Sequence, residues 1–342
     1  MVIGEPIGKA AVVGSTSWGT VLAVLLARSG RSVGLCAHDA RDASMLRRDG
    51  ENARLQPGLR FPSNVEVTDE ISEALAGAGL LVIAVPSATL RENLRAVRPH
   101  LDRGTQVLSA VKGLEAETGK RMSQVIGEEL PELERPLCVL SGPNLSREIA
   151  RGLPAATIVA CADLSTAQRV ADLLMGPLFR VYTNEDVAGV ELAGALKNII
   201  AIGAGMGDGF GYGDNAKAAF LTRGLAEIAR LGIAAGAQPL TFSGLAGVGD
   251  LMATCYSPLS RNHAVGVELA RGRRLDDVLQ SLGQVAEGVT TTIAARELAR
   301  RLSVEMPITE KMHQVLFEGL DPHRAVAELM VREPKHELHG VR

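Results

Sequence analysis

The first half of the chain alternates short apolar runs of strand length with longer stretches in which apolar residues recur at helical spacing. This alternation predicts parallel strands joined by crossover helices, the arrangement of a doubly wound α/β sheet. The predicted strands cover Ala10–Val13, Ser32–Cys36, Val65–Thr68, Leu80–Val85, Thr105–Ser109, Leu137–Leu140, Ala155–Ala160 and Leu178–Tyr182.

Helical patterns connect these strands, and from Val187 onward the sequence shows only helical patterns. From Val187 to Gly205 a nearly continuous run of Ala, Ile, Leu and Gly is too long for a strand, and it predicts a mostly buried helix. Amphipathic patterns without strand signals follow. We therefore predict a Rossmann-like dinucleotide-binding domain over residues 1–186 and an all-helical substrate and catalytic domain over 187–342. The other predicted helices cover Trp18–Arg28, Ala40–Asp49, Ile71–Leu75, Thr89–His100, Lys120–Leu130, Asn215–Ala235, Arg261–Arg271, Leu275–Leu282, Thr290–Leu302 and Ile308–Phe317.

Composition excludes nucleic acid as a partner. Lys and Arg number 36 against 39 Asp and Glu, for a formal net charge of −3, so no basic excess is available to neutralise a phosphate backbone. Aromatic residues make up 3% of the chain, too few for stacking platforms along a single strand.

Cysteine spacing and hydropathy indicate where in the cell the protein is located. The four cysteines are far apart and show no paired metal-ligand spacing, so we expect reduced thiols and no metal site. Residues Met1 to Gly8 contain no long apolar region of a signal peptide, and no uninterrupted apolar run is long enough for a membrane span. We therefore expect a cytoplasmic protein that is not integral to a membrane.

The first predicted strand leads into a partial dinucleotide fingerprint. The full pattern, G-x-G-x-x-G, lets a pyrophosphate approach the backbone and lie at the N-terminus of the next helix. Gly14 and Gly19 hold the first and third positions, whereas Thr16 holds the middle one, where a branched side chain is expected to crowd the pyrophosphate. The flanking strand and helix favour cofactor binding, and a strand–helix turn without a ligand is the alternative.

The segment after the second predicted strand bears on the choice of cofactor. Asp39 is the residue type that binds the ribose hydroxyls in NAD enzymes. His38 and Arg41 suit a 2′-phosphate, and this basic pair slightly favours NADP. Charged residues at this place are also typical of a solvated loop.

Two polar segments follow later predicted strands, where ligands bind in open α/β sheets. Lys112 comes shortly after the strand that ends at Ser109, a position that suits a functional lysine as well as a surface lysine before a turn. The segment from Ser141 to Asn144 ends the next strand and could present backbone N–H groups at a helix start.

Lys197 is the most informative residue, because it interrupts the apolar helix predicted after Val187. Burying a charge there is costly unless the side chain reaches solvent or lines a cavity. A lysine partly stripped of water has a lowered pKa, which suits general acid–base chemistry near neutral pH. Asn198, beside it, could bind the same substrate oxygen or hold the lysine. A lysine that reaches solvent at a helix edge is the alternative.

Three further positions add candidate ligands. Asp250 could orient a lysine or a substrate hydroxyl. The consecutive donors Ser260, Arg261 and Asn262 at a predicted helix start suit a phosphate, although such a triplet alone is most often a helix cap. Glu287 precedes a predicted helix, where an acid also complements the helix dipole.

Together these segments resemble the bacterial NAD(P)-dependent glycerol-3-phosphate dehydrogenases, in family order from Lys9 to about Leu329. The family fingerprint usually reads G-x-G-x-W-G, with glycine where this chain has Thr16. Ser or Thr is usual at the position of Asn144, Ala at that of Ser146, and a second arginine is common at that of His263. The similar segments are Ser17-Trp18-Gly19-Thr20, Ser109-Ala110-Val111-Lys112-Gly113-Leu114-Glu115, Ser141-Gly142-Pro143-Asn144, Leu196-Lys197-Asn198, Gly249-Asp250-Leu251, Ser260-Arg261-Asn262 and Ala286-Glu287-Gly288.

The resemblance implies a helical domain like that of 6-phosphogluconate dehydrogenase, a cytoplasmic homodimer, and NADP or NAD as cofactor. It implies reversible hydride transfer between NAD(P)H and dihydroxyacetone phosphate, giving sn-glycerol 3-phosphate for phospholipid synthesis. Lys197 then corresponds to the catalytic proton donor and acceptor. The implied substrate-binding residues are Lys112, Gly142, Asn144, Lys197, Asn198, Asp250, Ser260, Arg261 and Asn262. The implied cofactor-binding residues are Gly14, Ser17, Trp18, Gly19, His38, Lys112, Ser146, Arg261, Val285 and Glu287.

Two other functions are compatible with the same residues. One is a related hydroxyacid dehydrogenase with another substrate, although Arg261 and Asn262 favour a phosphate. The other is a dinucleotide-binding sensor without turnover, if Thr16 impairs use of the cofactor. The intact Lys197, Asn198 and Asp250 argue against the sensor.

Overall fold

The computed structural model describes residues 7–283, 285–333 and 336 of the chain, which forms two compact units. The first unit takes the chain up to Val111, together with Met122–Leu140 and Ser146–Val187. The second takes Lys112–Arg121, Ser141–Leu145 and the chain from Ala188 onward. The main division thus falls next to the predicted boundary at 186/187, but two short segments of the first half of the sequence belong to the second unit.

One eight-stranded sheet forms the centre of the first unit; its first six strands in chain order pair in parallel with their neighbours, and its last two strands pair in parallel with each other. Its strand order is that of a doubly wound fold, in which the chain proceeds outward from the centre on one side and then on the other. The predicted sheet is confirmed, with strand ends within two residues of the expected ones. The strands are β1 (Lys9–Val13), β2 (Ser32–Cys36), β3 (Val65–Thr68), β4 (Leu80–Ile83), β5 (Gln106–Ser109), β6 (Cys138–Ser141), β7 (Ala155–Ala160) and β8 (Phe179–Asn184), in the order β3-β2-β1-β4-β5-β6-β7-β8.

Helices cover both faces of this sheet. The predicted helix over 89–100 is a shorter α-helix with a 3₁₀ turn at each end, and the five-residue helix α6 begins two residues after Asn144, where a helix start was considered. The helices of the first unit are α1 (Ser17–Arg28), α2 (Ala40–Asp49), α3 (Ile71–Leu75), α4 (Leu90–Val97), α5 (Met122–Glu129), α6 (Ser146–Ala150) and α7 (Leu164–Leu174).

Two hydrophobic cores lie on opposite faces of the sheet. Because side chains alternate along a strand, Ala10 and Val12 of β1 belong to the core that packs against α1 and α7. Ala11 and Val13 belong to the core that packs against α3, α4 and α5. Strands buried on both faces explain why these segments read as continuous apolar runs in the sequence.

From Ala188 onward, the described residues form helices and turns and no strand, as predicted. The helix α10 is only seven residues long and was not predicted, and neither was α15, although Asp321 and Pro322 supply an N-cap and a first-turn proline there. The helices are α8 (Val187–Gly209), α9 (Asp214–Ala234), α10 (Asp250–Tyr256), α11 (Arg261–Ala270), α12 (Leu275–Leu282), α13 (Glu287–Arg301), α14 (Pro307–Phe317) and α15 (Pro322–Met330).

Helix α8 is the central element of the second unit. By length and composition it is the one helix among the described residues that could cross a membrane, yet 83% of its most apolar 18-residue window is buried within the protein. That burial is what the core helix of a globular protein shows.

Glycines let α11 cross α8 at close range. A Cβ on Gly205 of α8 would overlap the carbonyl oxygen of His263, and a Cβ on Gly266 of α11 would overlap that of Ile202. The backbones therefore touch, and the first turn of α11 is held against α8.

Candidate active site

The loop between β1 and α1 has the geometry of a dinucleotide fingerprint. Gly14 has a φ of +110°, which L side chains rarely adopt, and a Cβ there would lie 2.7 Å from the carbonyl oxygen of Ala84. A Cβ on Gly19 would overlap the carbonyl oxygen of Gly14. Both glycines are therefore required by close backbone approach.

Thr16 is the N-cap of α1. Its Oγ1 accepts the Gly19 N–H at 3.0 Å and donates to the carbonyl oxygen of Ala84 at 2.8 Å. Its φ is −64°, so this position does not need a glycine. The hydroxyl that replaces the middle fingerprint glycine thus ties the start of the helix to the end of β4.

The start of α1 retains donors for an anion. Thr16 caps Gly19, whereas the N–H groups of Ser17 and Trp18 donate to no other group in the described part of the chain. The helix dipole adds to this preference for negative charge. These residues fit the pyrophosphate of a dinucleotide.

Ser17 also joins two of the predicted cofactor residues. Its Oγ lies 2.7 Å from the Oγ of Ser146, the first residue of α6, and accepts from Gln56 Nε2 at 2.6 Å. Gln56 was not predicted; it is buried, and its Nε2 also donates to the carbonyl oxygen of Ser17 at 3.2 Å.

Two other predicted cofactor residues, Trp18 and His38, make no hydrogen bond to the fingerprint loop through their side chains. The Trp18 indole packs edge-on against Phe179, with ring centroids 6.4 Å apart, and its Nε1 has no hydrogen-bond partner among the described residues. His38 is exposed just beyond β2. Asp39 caps α2 by accepting the Asp42 N–H at 2.7 Å, so one of its oxygens is committed to the helix.

In the second unit, Asp250 holds two lysines. Its Oδ1 accepts from Lys197 Nζ at 2.5 Å and its Oδ2 from Lys112 Nζ at 2.7 Å. The side chains of Asp250 and Lys197 are only 2% and 8% exposed. Sequence analysis predicted all three residues as site residues, and the fold brings them together over separations of 53 and 138 positions.

Thr254 completes the surroundings of Lys197 and was not predicted. Its Oγ1 accepts from Lys197 Nζ at 2.5 Å. It lies one turn after Asp250 on α10, so an Asp-x-x-x-Thr spacing is the signal that could have found it. That spacing becomes informative only once a helix is assigned there.

The pKa of Lys197 is lowered to about 8, chiefly because burial removes water from the ammonium group. Asp250 opposes this shift and the positive charge of Lys112 reinforces it. A lysine with a pKa of about 8 exchanges a proton near neutral pH.

Lys112 is held from a second side as well. Its Nζ donates to the carbonyl oxygen of Gly142 at 2.9 Å, and Gly142 has a φ of +126°. Gly194 of α8 makes room for this arrangement, because a Cβ there would overlap Ser141 Oγ and would lie 3.9 Å from Lys112 Cδ. The segments Lys112–Arg121 and Ser141–Leu145 therefore meet at α8.

Open donors lie close to this cluster. Asn198 is buried beside Lys197, and its side-chain amide makes no hydrogen bond within the described ranges. Asn262 accepts the Gly288 N–H through Oδ1 at 2.9 Å, which leaves its amide N–H₂ unused by the described residues. A Cβ on Gly288 would lie 2.7 Å from the Asn198 carbonyl oxygen, so these three residues form one cluster.

The start of α11 is a capped helix N-terminus. Ser260 is its N-cap and accepts the His263 N–H at 3.2 Å. The alternative considered for the Ser260–Asn262 triplet, a helix cap, therefore holds for Ser260. Arg261 is the first helical residue, is exposed, and has no ion pair or hydrogen bond to the rest of the described chain. His263 instead contacts Asp208 through Nε2 at 2.7 Å.

The predicted cofactor residues are divided between the two units. Asn144, a predicted substrate residue, lies in the Ser141–Leu145 segment of the second unit. Glu287 begins α13, and Val285 is half exposed before it. In the first unit are Gly14, Ser17, Trp18, Gly19, His38 and Ser146; in the second are Lys112, Arg261, Val285 and Glu287.

A doubly wound sheet with a fingerprint loop, and a helical unit with a buried lysine beside phosphate-competent donors, define the class of nicotinamide-dependent dehydrogenases. Comparison with known proteins gives the family. The family described as NAD-dependent glycerol-3-phosphate dehydrogenase matches through its N-terminal part at residues 9–167 and its C-terminal part at residues 186–327. The chain belongs to this family, and it is an oxidoreductase that uses NAD or NADP.

Individual relatives agree. The chain is 50% identical to a glycerol-3-phosphate dehydrogenase [NAD(P)+] of Dehalococcoides mccartyi, over 97% of this chain and 93% of the relative. It is 51% identical to one of Moorella thermoacetica, over 96% and 98%. Among solved structures, the glycerol-3-phosphate dehydrogenase of Coxiella burnetii is 37% identical and superposes with a TM-score of 0.91, over 95% of this chain and 99% of that one. These similarities favour neither of the two alternative functions.

Proposed function

We propose that this chain catalyses reversible hydride transfer between NAD(P)H and dihydroxyacetone phosphate, giving sn-glycerol 3-phosphate, with Lys197 as proton donor and acceptor. The observation that carries the proposal is the buried Lys197 ammonium held between Asp250 and Thr254, with a pKa of about 8. Family membership supplies the substrate and the cofactor.

Lys197 performs the proton transfer that carbonyl reduction requires. When bound, the nicotinamide cofactor supplies the hydride to the second carbon of the substrate or takes it back. The carbonyl oxygen then becomes an alkoxide and needs a proton, which Lys197 donates in reduction and removes in oxidation. The Asp250 carboxylate fixes the direction of the ammonium group, and the open amide of Asn198 can hold the same oxygen.

Lys112 and the start of α11 bind the rest of the substrate. Arg261 offers a guanidinium that makes no hydrogen bond or ion pair within the described residues, although the charge of Glu287 acts on it, and Asn262 offers the amide N–H₂ left over from its bond to Gly288. Guanidinium and amide donors at a helix N-terminus are suited to a phosphate dianion. Lys112 adds a positive charge beside Asp250. Gly142 and Asn144 lie in the segment that Lys112 contacts, and Ser260 orients the start of the helix.

We assign cofactor binding to the residues predicted for it. The N–H groups of Ser17 and Trp18 and the glycines Gly14 and Gly19 suit the pyrophosphate, and His38 lies where the adenosine ribose is bound in this fold. The remaining members of this set are Lys112, Ser146, Arg261, Val285 and Glu287.

The same family resemblance supports a cytoplasmic homodimer that provides sn-glycerol 3-phosphate for phospholipid synthesis. Light scattering on the purified protein tests the oligomeric state, and a mass of one chain at micromolar concentration would contradict the homodimer.

Initial rates of NADPH and NADH oxidation with dihydroxyacetone phosphate test the activity. We expect turnover by the wild type and loss of about three orders of magnitude or more in Lys197→Met, the scale for removing a proton-transfer group in a buried site. Cofactor binding, measured by fluorescence, should stay within about twofold.

A matched control is Lys311→Met, which removes the lysine of the partly buried ion pair between Lys311 of α14 and Glu328 of α15. It should keep wild-type turnover. A folded wild type without turnover would contradict the proposed activity, and near-normal turnover of Lys197→Met would contradict the role of Lys197.

A further inference from the structure

A partly buried ion pair lies outside the groups used so far. The guanidinium of Arg121 donates through Nη1 to Glu191 Oε2 at 2.6 Å. The Glu191 side chain is 6% exposed and that of Arg121 is 21% exposed. Because desolvation offsets most of the attraction in such a pair, stability alone is a weak reason for its presence.

The two partners lie on elements that carry Lys112, a predicted binding residue, and Lys197, the predicted catalytic residue. Arg121 ends the Lys112–Arg121 segment of the second unit, and an isolated antiparallel bridge between Leu114 and Arg121 closes that segment into a loop. Glu191 lies on α8, six residues before Lys197. The ion pair thus joins the loop of one lysine to the helix of the other.

The space for Lys112 against α8 is narrow, so the position of the loop on α8 determines which groups Lys112 can reach. Gly194, one turn after Glu191, is the residue whose missing Cβ admits Ser141 and the Lys112 stem. From there Lys112 Nζ reaches both Asp250 and the carbonyl oxygen of Gly142. A shift of the loop along α8 would break both contacts.

We infer that the Arg121–Glu191 ion pair is a positioning device for Lys112: it fixes the Lys112–Arg121 loop on α8 so that Nζ reaches Asp250. Arg121 and Glu191 are positioning residues that act through Lys112. This inference rests on the proposed function, because it presupposes that Lys112 takes part in binding the substrate.

A second tie holds the same loop at its middle. Arg301 of α13 donates through Nη2 to the carbonyl oxygen of Thr118 at 2.7 Å. This bond ties the tip of the loop to α13, whereas the ion pair with Glu191 ties the end of the loop to α8.

A double-mutant cycle between Arg121 and Lys112 tests the inference. Arg121→Met should lower kcat/KM for dihydroxyacetone phosphate by up to about 100-fold, the scale for a displacement of about 1 Å at a reacting group. In a Lys112→Met background the same change should cost less than about twofold, because the group being positioned is already absent. Multiplicative losses in the double variant would overturn the inference.

The pH profile supplies a readout that general destabilisation would not move. Lys197 faces Asp250, Lys112, Thr254 and Cys255, and Lys112 is the positive charge in this set. If Arg121→Met displaces Lys112, the alkaline limb of the reduction profile should move to higher pH, as it should in Lys112→Met. An unchanged limb in Arg121→Met would contradict the inference.

Folding and unrelated effects are controlled separately. The double variant Arg121→Met/Glu191→Met removes both charges of the pair together and should show the same kinetic loss with a melting temperature close to that of the wild type. Arg91→Met removes two ion pairs of the first unit, with Glu128 at 2.7 Å and with Glu129 at 2.8 Å, and should keep wild-type kcat/KM. A loss in Arg91→Met equal to that in Arg121→Met would overturn the inference, whereas an inactive wild type would instead contradict the proposed function.

Discussion

Lys197 lies in the middle of the apolar helix α8, and its neighbours determine what it can do. Sequence analysis predicted a lowered pKa because a charge in an apolar helix loses water, and the structure supplies the partners that keep the group usable. Asp250 keeps the ammonium from losing its proton altogether, while burial and Lys112 keep the pKa near 8. A carboxylate between two lysines therefore helps to set the pKa of the Lys197 ammonium group rather than simply neutralising its charge.

The pH dependence of turnover should follow this pKa with opposite sign in the two directions. Reduction needs the protonated lysine, so kcat/KM for dihydroxyacetone phosphate should fall as the pH rises through about 8. Oxidation of glycerol 3-phosphate needs the neutral lysine, so its kcat/KM should rise over the same interval. The measurement is kcat/KM from pH 6 to 10 in both directions, and a limb near the ordinary lysine value of about 10.4 would contradict the lowered pKa.

Thr16 departs from the fingerprint motif but stabilises the fold as a helix cap. Its hydroxyl makes two hydrogen bonds within the first unit, so Thr16→Ala should lower the free energy of unfolding by about 1 kcal/mol, as loss of an N-cap does. Thr16→Ser retains the hydroxyl and serves as the control. Urea denaturation gives both values, and equal stability of the two variants would contradict the capping role.

The same position also tests the crowding expected from the sequence. Since the hydroxyl is bonded to Gly19 and Ala84, we expect Thr16→Gly to leave the KM for NADPH within about twofold. A drop of tenfold or more would show that the threonine crowds the pyrophosphate after all.

At the scale of elements, the crossing of α8 and α11 positions the start of α11 and therefore Arg261 and Asn262. Gly205→Ala would place a methyl group against the His263 carbonyl, and we expect a loss of about 3 kcal/mol in unfolding free energy and a higher KM for substrate. Gly207→Ala on the same helix is the control, because its Cβ would meet nothing closer than Tyr212 Cδ2 at 3.9 Å.

The control should gain up to about 1 kcal/mol from helix propensity. Thermal and urea denaturation with substrate titration compare the two variants. Similar stability of Gly205→Ala and wild type would show that the helices do not cross as closely as described.

Secondary structure could be predicted where apolar residues recur in the sequence at the spacing of a strand or a helix. The strands of the first unit and the long helices have such a period, and their ends agree within a few residues. The helices α6 and α10 are five and seven residues long, too short to show one. The π-helical segment Leu245–Gly249 leads directly into α10, so no side-chain N-cap marks the start of α10.

At the scale of the whole molecule, the second unit is assembled from three parts of the chain. A fragment that begins at Ala188 lacks Lys112–Arg121 and Ser141–Leu145, and it leaves Glu191 without Arg121 and Asp250 without Lys112. Because an unpaired buried charge is strongly destabilising, we expect this fragment not to melt cooperatively in circular dichroism. A cooperative transition near that of the full chain would contradict this expectation.

The sequence by itself determined the doubly wound sheet, the change to helices after Asp186, and which residue types carry the chemistry, because periodic burial and the cost of a charge in an apolar helix are local properties. Only the tertiary structure decided that Asp250 joins Lys112 to Lys197, that Thr254 and Thr16 supply hydroxyls to these sites, and that Arg121 meets Glu191 across 70 positions. Such contacts depend on how elements distant in sequence pack, and no local pattern records that packing.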